Sequence, residues 1–217
     1  FVNEAVSWTA SGSATTLTLN AVRDVNINAA VTTDTGNLVA CCGRDVNVNA
    51  VITTTNGSVL LSGGRNVNID AVMTTTDGNI TLCAAENLTV SERITLTRGS
   101  SIAGESLDLP LGLVLSAGYG GTGPGTTGGT LTLAPMTPDV VVVSGPNAPV
   151  TILYNPVSYA TPTDYSGDLT LTDSVLTQRM LVFADGGSKT FDGTTTTTLT
   201  GLKGDPTGVT LIAGPGS

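Results

Sequence analysis

The stretch RDVNINA at residues 23–29 returns as RDVNVNA at 44–50 and as RNVNIDA at 65–71, and a divergent fourth copy, ENLTVSE, occupies 86–92. The copies begin at Arg23, Arg44, Arg65 and Glu86, a constant step of 21 residues. Two further markers keep that step. Gly36, Gly57, Gly78 and Gly99 open GNLVAC, GSVLLS, GNITLC and GSSIAG, while AVT, VIT, VMT and RIT start at 30, 51, 72 and 93. Three markers in phase, without an insertion, define an internal repeat.

Within each copy apolar and polar residues alternate, as Val25 and Ile27 do with Asn26 and Asn28, which is the pattern of a strand with one buried face. Leu38, Val59 and Ile80 head a second strand in successive repeats. No stretch carries a helical period. Asn56-Gly57 and Asp77-Gly78 mark tight turns, in which the glycine is expected to take angles that a Cβ forbids. A unit this short cannot close a core alone, but stacked units can. The step therefore predicts an all-β fold: a parallel β-helix with one circuit per 21 residues, right-handed as parallel crossovers are, and rungs about 4.8 Å apart. Two inward ladders follow, Val25–Val46–Val67–Leu88 and Ile27–Val48–Ile69–Val90. Outside run Asn26–Asn47–Asn68 and Thr32–Thr53–Thr74–Thr95. Arg23, Arg44 and Arg65 form a like-charge stack, relieved by Asp24 and Asp45 beside it.

Composition agrees with strands and turns. Charged residues are 12% of the 217, about half the usual share of a globular domain, and the net charge of −9 argues against a nucleic-acid partner. No apolar run is long enough to span a membrane. Neither a signal peptide nor an initiator Met is visible, and NEAVS at 3–7 lines up with NAAVT at 28–32. The chain thus reads as a mature product or an excised piece that starts partway round a turn. Cys41, Cys42 and Cys83 do not make a disulfide framework. Cys41 and Cys83 lie two turns apart, about 9.6 Å by the strand spacing, whereas bridging needs Cα atoms within about 7 Å. All three read as small residues of corner or core.

The regular pattern fades after Leu109. The expected organisation is a solenoid at 1–116, a Gly/Pro-rich irregular β extension at 117–177 that includes AGYGGTGPGTTGG, and the start of a small β module at 178–217.

NEAVSW followed by TTLTLNAVRDVNINAAVTTDTGNLVACCGRDVNVNA resembles the filamentous-haemagglutinin-like exoproteins of Gram-negative bacteria, the large adhesins exported by two-partner secretion. KTFDGTT at 189–195 resembles the K-x-Y-D-G-T-T signature of small β modules near the C-terminal parts of such exoproteins, with Phe191 where Tyr is usual. The resemblance implies a secreted or cell-surface location and a rigid, non-catalytic β-helical shaft used in adhesion. It implies partners among host or bacterial surface glycans and proteins, and the continuation of the same polypeptide.

Other functions leave weaker traces. With no His there is no imidazole acid–base chemistry or Ser–His–Asp triad. The stacked Asp24 and Asp45 fit a ladder better than two carboxylates with split roles, so a polysaccharide-active β-helix is a minor reading. No cofactor is expected. Asp34, Asp77, Asp185 and Asp192 lie in turns, where ordinary turn chemistry explains them without a metal. Lys203-Gly204-Asp205 is explained by a Gly turn before a Pro. Thr53-x-Thr55, Thr74-x-Thr76 and Thr95-x-Thr97 would stack as a double Thr file of the kind that templates ice, but three turns are few and Leu96 interrupts the filler position. Loops in 117–177 are the expected partner surface. Tyr119, Tyr154, Tyr159 and Tyr165 all fall there, to stack on sugars or to pin the loops to the core. A coil also has open rungs at its ends, so the alternative to a shaft is a subunit of a filament joined head-to-tail by strand addition.

Overall fold

The computed structural model describes residues 1–99, 107–125, 129–184 and 203–204. Its strands stack in three parallel sheets of seven, seven and five. As far as Leu133 each circuit contributes one strand to each sheet, so the core is a column enclosed by three walls; the strands after it extend the two seven-stranded sheets alone.

The repeat sets the register. Val25, Val46, Val67 and Leu88 pair rung to rung, as do Ile27, Val48, Ile69 and Val90, and all eight are buried. Their polar neighbours face outward. Asn47 donates through Nδ2 to Asn26 Oδ1 at 2.9 Å, and Asn68 donates likewise to Asn47 at 2.8 Å. This narrow wall is the Asn sheet. In a second wall, the Thr sheet, Val31, Ile52, Met73 and Ile94 form the inward ladder. Between them and the next corner a buried polar file also points inward: Thr33, Thr54 and Thr75, with Thr54 and Thr75 joined at 3.0 Å through their hydroxyls. The third wall stacks Leu38, Val59, Ile80, Leu113 and Val150.

The glycines of the corner serve differently from the expectation. The left-handed angle belongs to the residue before each glycine: Thr35 at φ 56°, Asn56 at 50° and Asp77 at 50°. The glycines are required by close approach instead. A Cβ on Gly57 would run into the carbonyl oxygen of Gly36, and one on Gly78 into that of Gly57. The same backbone atoms thus meet at two successive corners, Gly36 with Gly57 and Gly57 with Gly78.

The coil does not end at 116. Leu113–Ala117, Leu131–Leu133, Val141–Ser144, Val150–Tyr154, Leu169–Thr172 and Leu176–Met180 continue the three sheets in parallel register. The segment 117–177, expected as an irregular extension, therefore supplies further rungs with longer corners, and the strand Leu176–Met180 crosses the boundary expected at 178. Loop closure entropy grows only slowly with length, so a long corner is compatible with an unbroken stack. KTFDGTT at 189–195, Asp185 and Asp205 lie outside the described residues. At the other end Val6–Thr9 pairs with Val31–Asp34, and Asn28 donates to Asn3 Oδ1 at 2.9 Å, as the alignment of NEAVS with NAAVT requires. The first corner, residues 10–14, is longer than the single residue Thr35 of the next.

Burying one Val or Ile in these ladders is worth about 1.5–3 kcal/mol. Val48→Asp is expected to cost several kcal/mol, since an unpaired charge enters the apolar column, whereas Asn47→Asp forfeits one outward hydrogen bond, about 1 kcal/mol. Urea unfolding of the two variants checks this, and equal losses would reverse the assigned faces. Gly57→Ala is expected to cost about 1–3 kcal/mol by forcing two rungs apart, measured by the same titration.

Candidate functional site

The features able to meet a partner are the outer faces, the corners and the end strands of the sheets. The Asn sheet and its corner are held by side chains that reach from rung to rung. Asp24, Asp45, Asn66 and Asn87 occupy one corner file, where each side-chain oxygen lies within reach of the next residue's backbone N–H: Asp45 to Asp24 at 3.4 Å, Asn66 to Asp45 at 3.2 Å and Asn87 to Asn66 at 3.3 Å. The arginines answer in the same direction. Arg44 Nε lies 3.1 Å from Asp24 Oδ1, without the alignment of a hydrogen bond. Arg65 clamps Asp45 with two bonds, Nε donating to Oδ1 at 2.8 Å and Nη2 to Oδ2. The Arg65 guanidinium holds the Asp45 carboxyl below the usual carboxylate range, and the Asn66 N–H adds to this against the opposing effect of burial. The two stacked aspartates are thus paired with cations of the following rung, as their ladder spacing implied.

A second polar corner is buried. Asn37 Oδ1 accepts from Ser58 N at 2.9 Å, and Ser58 Oγ accepts from Asn79 N at 3.0 Å. Asn79 Oδ1 then accepts from Gly112 N at 2.9 Å and from Arg98 Nη1 at 2.7 Å. Arg98, only 1% exposed, went unnoticed in the sequence. The signal for its surroundings was the small polar residue after each corner glycine, in Gly36-Asn37, Gly57-Ser58 and Gly78-Asn79.

The four tyrosines part company. Tyr154, Tyr159 and Tyr165 are buried, so they cannot stack on a sugar outside. They pin the loops. Tyr154 Oη donates to Thr163 O at 3.1 Å and accepts from Thr163 N at 2.9 Å. The Tyr154 and Tyr165 rings meet edge-on with centroids 5.2 Å apart, and burial pushes the Tyr165 phenol up to about 12. Tyr159 Oη accepts from Phe183 N at 3.3 Å. Tyr119, half-exposed, is the member of the set that still faces solvent, and it donates to Gly63 O at 3.2 Å.

The cysteines are free. Cys41, Ser62, Cys83 and Ser116 form one file of the third wall, so two rungs separate Cys41 from Cys83 as the spacing required. Burial pushes both thiols up, with a second cysteine adding to it in each case, so neither is an activated nucleophile. Of the turn aspartates, Asp77 accepts from Gly99 N at 2.8 Å and Asp34 from Thr35 Oγ1 at 3.2 Å. Among the described residues no three His, Cys, Asp or Glu side chains come together.

Val6–Thr9 and Thr15–Ala21 are end strands of their sheets, and Val2, Trp8, Leu17, Leu19 and Ala21 are only partly buried against the core. Concavities of about 290 and 270 Å³ lie along this end, one beside Trp8 and Leu17, the other beside Val2 and Leu19. The chain matches no family model, no curated protein and no solved structure.

Because the folded Asp45 carboxyl is held low, its contribution to stability is present above the ordinary carboxylate range and is lost as pH falls through the depressed folded value. Melting temperatures followed from neutral pH into this acid range should show that loss, and Asp45→Asn should flatten it. An unchanged acid limb in the variant would mean that the clamp does not form.

Proposed function

We propose that this chain is a non-catalytic shaft segment of an extracellular bacterial adhesin of the filamentous-haemagglutinin-like kind, exported by two-partner secretion and displayed at or beyond the cell surface. The observation that carries the reading is the unbroken register. Seven rungs of one sheet span about 29 Å at the strand spacing, and register survives corners of very different length. Such a column is stiff along its axis and carries loops on its side, which suits a stalk that holds a binding element away from a membrane. Asp24 and Asp45 are occupied by the arginine ladder, so the carboxylates best placed for chemistry already have structural work. Glycans and surface proteins are the partners this reading implies.

A second reading is a filament subunit that accepts a strand from its neighbour at the end strands Val6–Thr9 and Thr15–Ala21. Its edge groups and partly exposed apolar residues are what strand addition uses, and a head-to-tail contact of this kind propagates without closing.

Two measurements separate the readings. A shaft segment predicts a native polypeptide with an intact mass far above the 21.7 kDa of this chain. A filament subunit predicts a native mass near that value, together with a light-scattering mass that climbs with concentration and collapses in Leu19→Lys, which puts a charge on the end strand Thr15–Ala21. A native polypeptide of this size that stays monomeric at all concentrations would sink both.

A further inference from the structure

We propose that the outer face of the Thr sheet binds ice, a reading independent of whether the coil is a shaft or a filament subunit. Two objections stand against it in the sequence, and the structure removes both. The first is that Leu96 interrupts the filler between Thr95 and Thr97. Leu96 pairs with Thr75 and Val143 and is fully buried; the filler file points into the core and is no part of the face. The second is that the array is short. Thr53 and Thr55, Thr74 and Thr76, and Thr95 and Thr97 occupy three consecutive rungs in register. Hydroxyls also stand on both sides of these rungs, at Ser7, Thr9 and Thr32 and at Ser144, Thr170 and Thr172, with Asp34 interrupting one row and Val142 the other.

Three properties of this face match a crystalline water surface. Its hydroxyls form a two-dimensional grid, about 4.8 Å from rung to rung and about 6.8 Å between residues two apart on a strand, and the oxygens of hexagonal ice repeat at similar distances on its prism faces. The grid is rigid: the rung spacing is set by backbone hydrogen bonds, and the β-branched Thr side chain has few rotamers to lose, so little entropy is spent in docking. At one place the grid contracts: Thr97 Oγ1 and Ser144 Oγ, on adjacent rungs, bond each other at 3.2 Å. The outward positions are also nearly uncharged, Asp34 being the one ionised side chain among them. Each Thr adds a γ-methyl that displaces loosely held water beside a hydroxyl that replaces it.

A protein or glycan fits this face less well. No aromatic points outward from the wall, since Trp8 lies on its inner file. A protein partner relies on large buried anchors; the outward positions of the wall carry small side chains, and the concavity of about 450 Å³ that Trp8 and Asp34 line with Thr32 and Thr53 lies toward its first strand.

The test uses the whole 217-residue chain. Wild-type protein should shape growing ice into facets, show thermal hysteresis and adsorb to a polished ice hemisphere. Thr74→Tyr, which lifts a ring above the middle of the grid, should lose all three, and so should Thr53→Lys, made separately in case one variant fails to fold. Thr132→Tyr, exposed on the Asn sheet, should behave as wild type. Circular dichroism and melting temperature establish that each variant used is folded. Absence of hysteresis and ice shaping in the wild type, activity that survives the face substitutions in folded protein, or equal loss in Thr132→Tyr would each overturn the proposal.

Discussion

Parallel, in-register pairing of each rung with the next is the constraint on which this structure depends. Once it holds, every side chain has its own counterparts above and below, about 4.8 Å away, and each position becomes a file. A file of valines or isoleucines is an apolar column. A file of asparagines becomes a chain of amide bonds such as Asn26–Asn47–Asn68. A file of arginines would be a column of repulsion, and its remedy is local: Arg44 sits against Asp24, and Arg65 against Asp45, each one rung back. A file of corner glycines brings the backbones of Gly36, Gly57 and Gly78 into contact. The same register thus makes some residue types favourable and others impossible.

Magnitudes order these contributions. Each fully buried Val, Ile or Leu contributes about 1.5–3 kcal/mol, and the ladders hold many. An exposed ion pair contributes about 0–1 kcal/mol, so the Arg–Asp files make the stack tolerable more than they hold it together. The polar corner from Asn37 to Arg98 is a different matter, because its groups are buried and an unmet partner there costs about 1–3 kcal/mol. The apolar column supplies most of the stability.

Function follows from what a column leaves outside. Inward files are committed to packing, and the aspartates of the Arg corner are committed to charge balance. What stays available is length, outward faces dominated by Asn or Thr, and loops on the side. Residues of the long corners that looked free to meet a partner, Tyr154, Tyr159 and Tyr165, are spent in fastening those corners down.

The sequence by itself determined the coil of the first four turns, its inward ladders, the Asn and Thr files outside and the pairing of the arginines, because a strict period of 21 residues leaves one way to superpose equivalent side chains. Even the alignment of NEAVS with NAAVT was legible, despite a first corner of different length. The extension of the coil to Met180 was not. There the corners vary, and a search for a fixed step loses strands such as Leu131–Leu133 and Val141–Ser144, although each still alternates and still pairs in register. Which residue of a corner takes the left-handed angle, which tyrosines are buried, where Arg98 finds Asn79 and on which side of the wall Leu96 lies were also decided by the tertiary structure alone. The buried tyrosines sit in corners whose separation along the chain is not constant, and spacing in sequence carries information about space only while it stays constant; the corner angle and the side of Leu96 keep the regular step, as Leu96 against Thr75 does, and needed the backbone path itself.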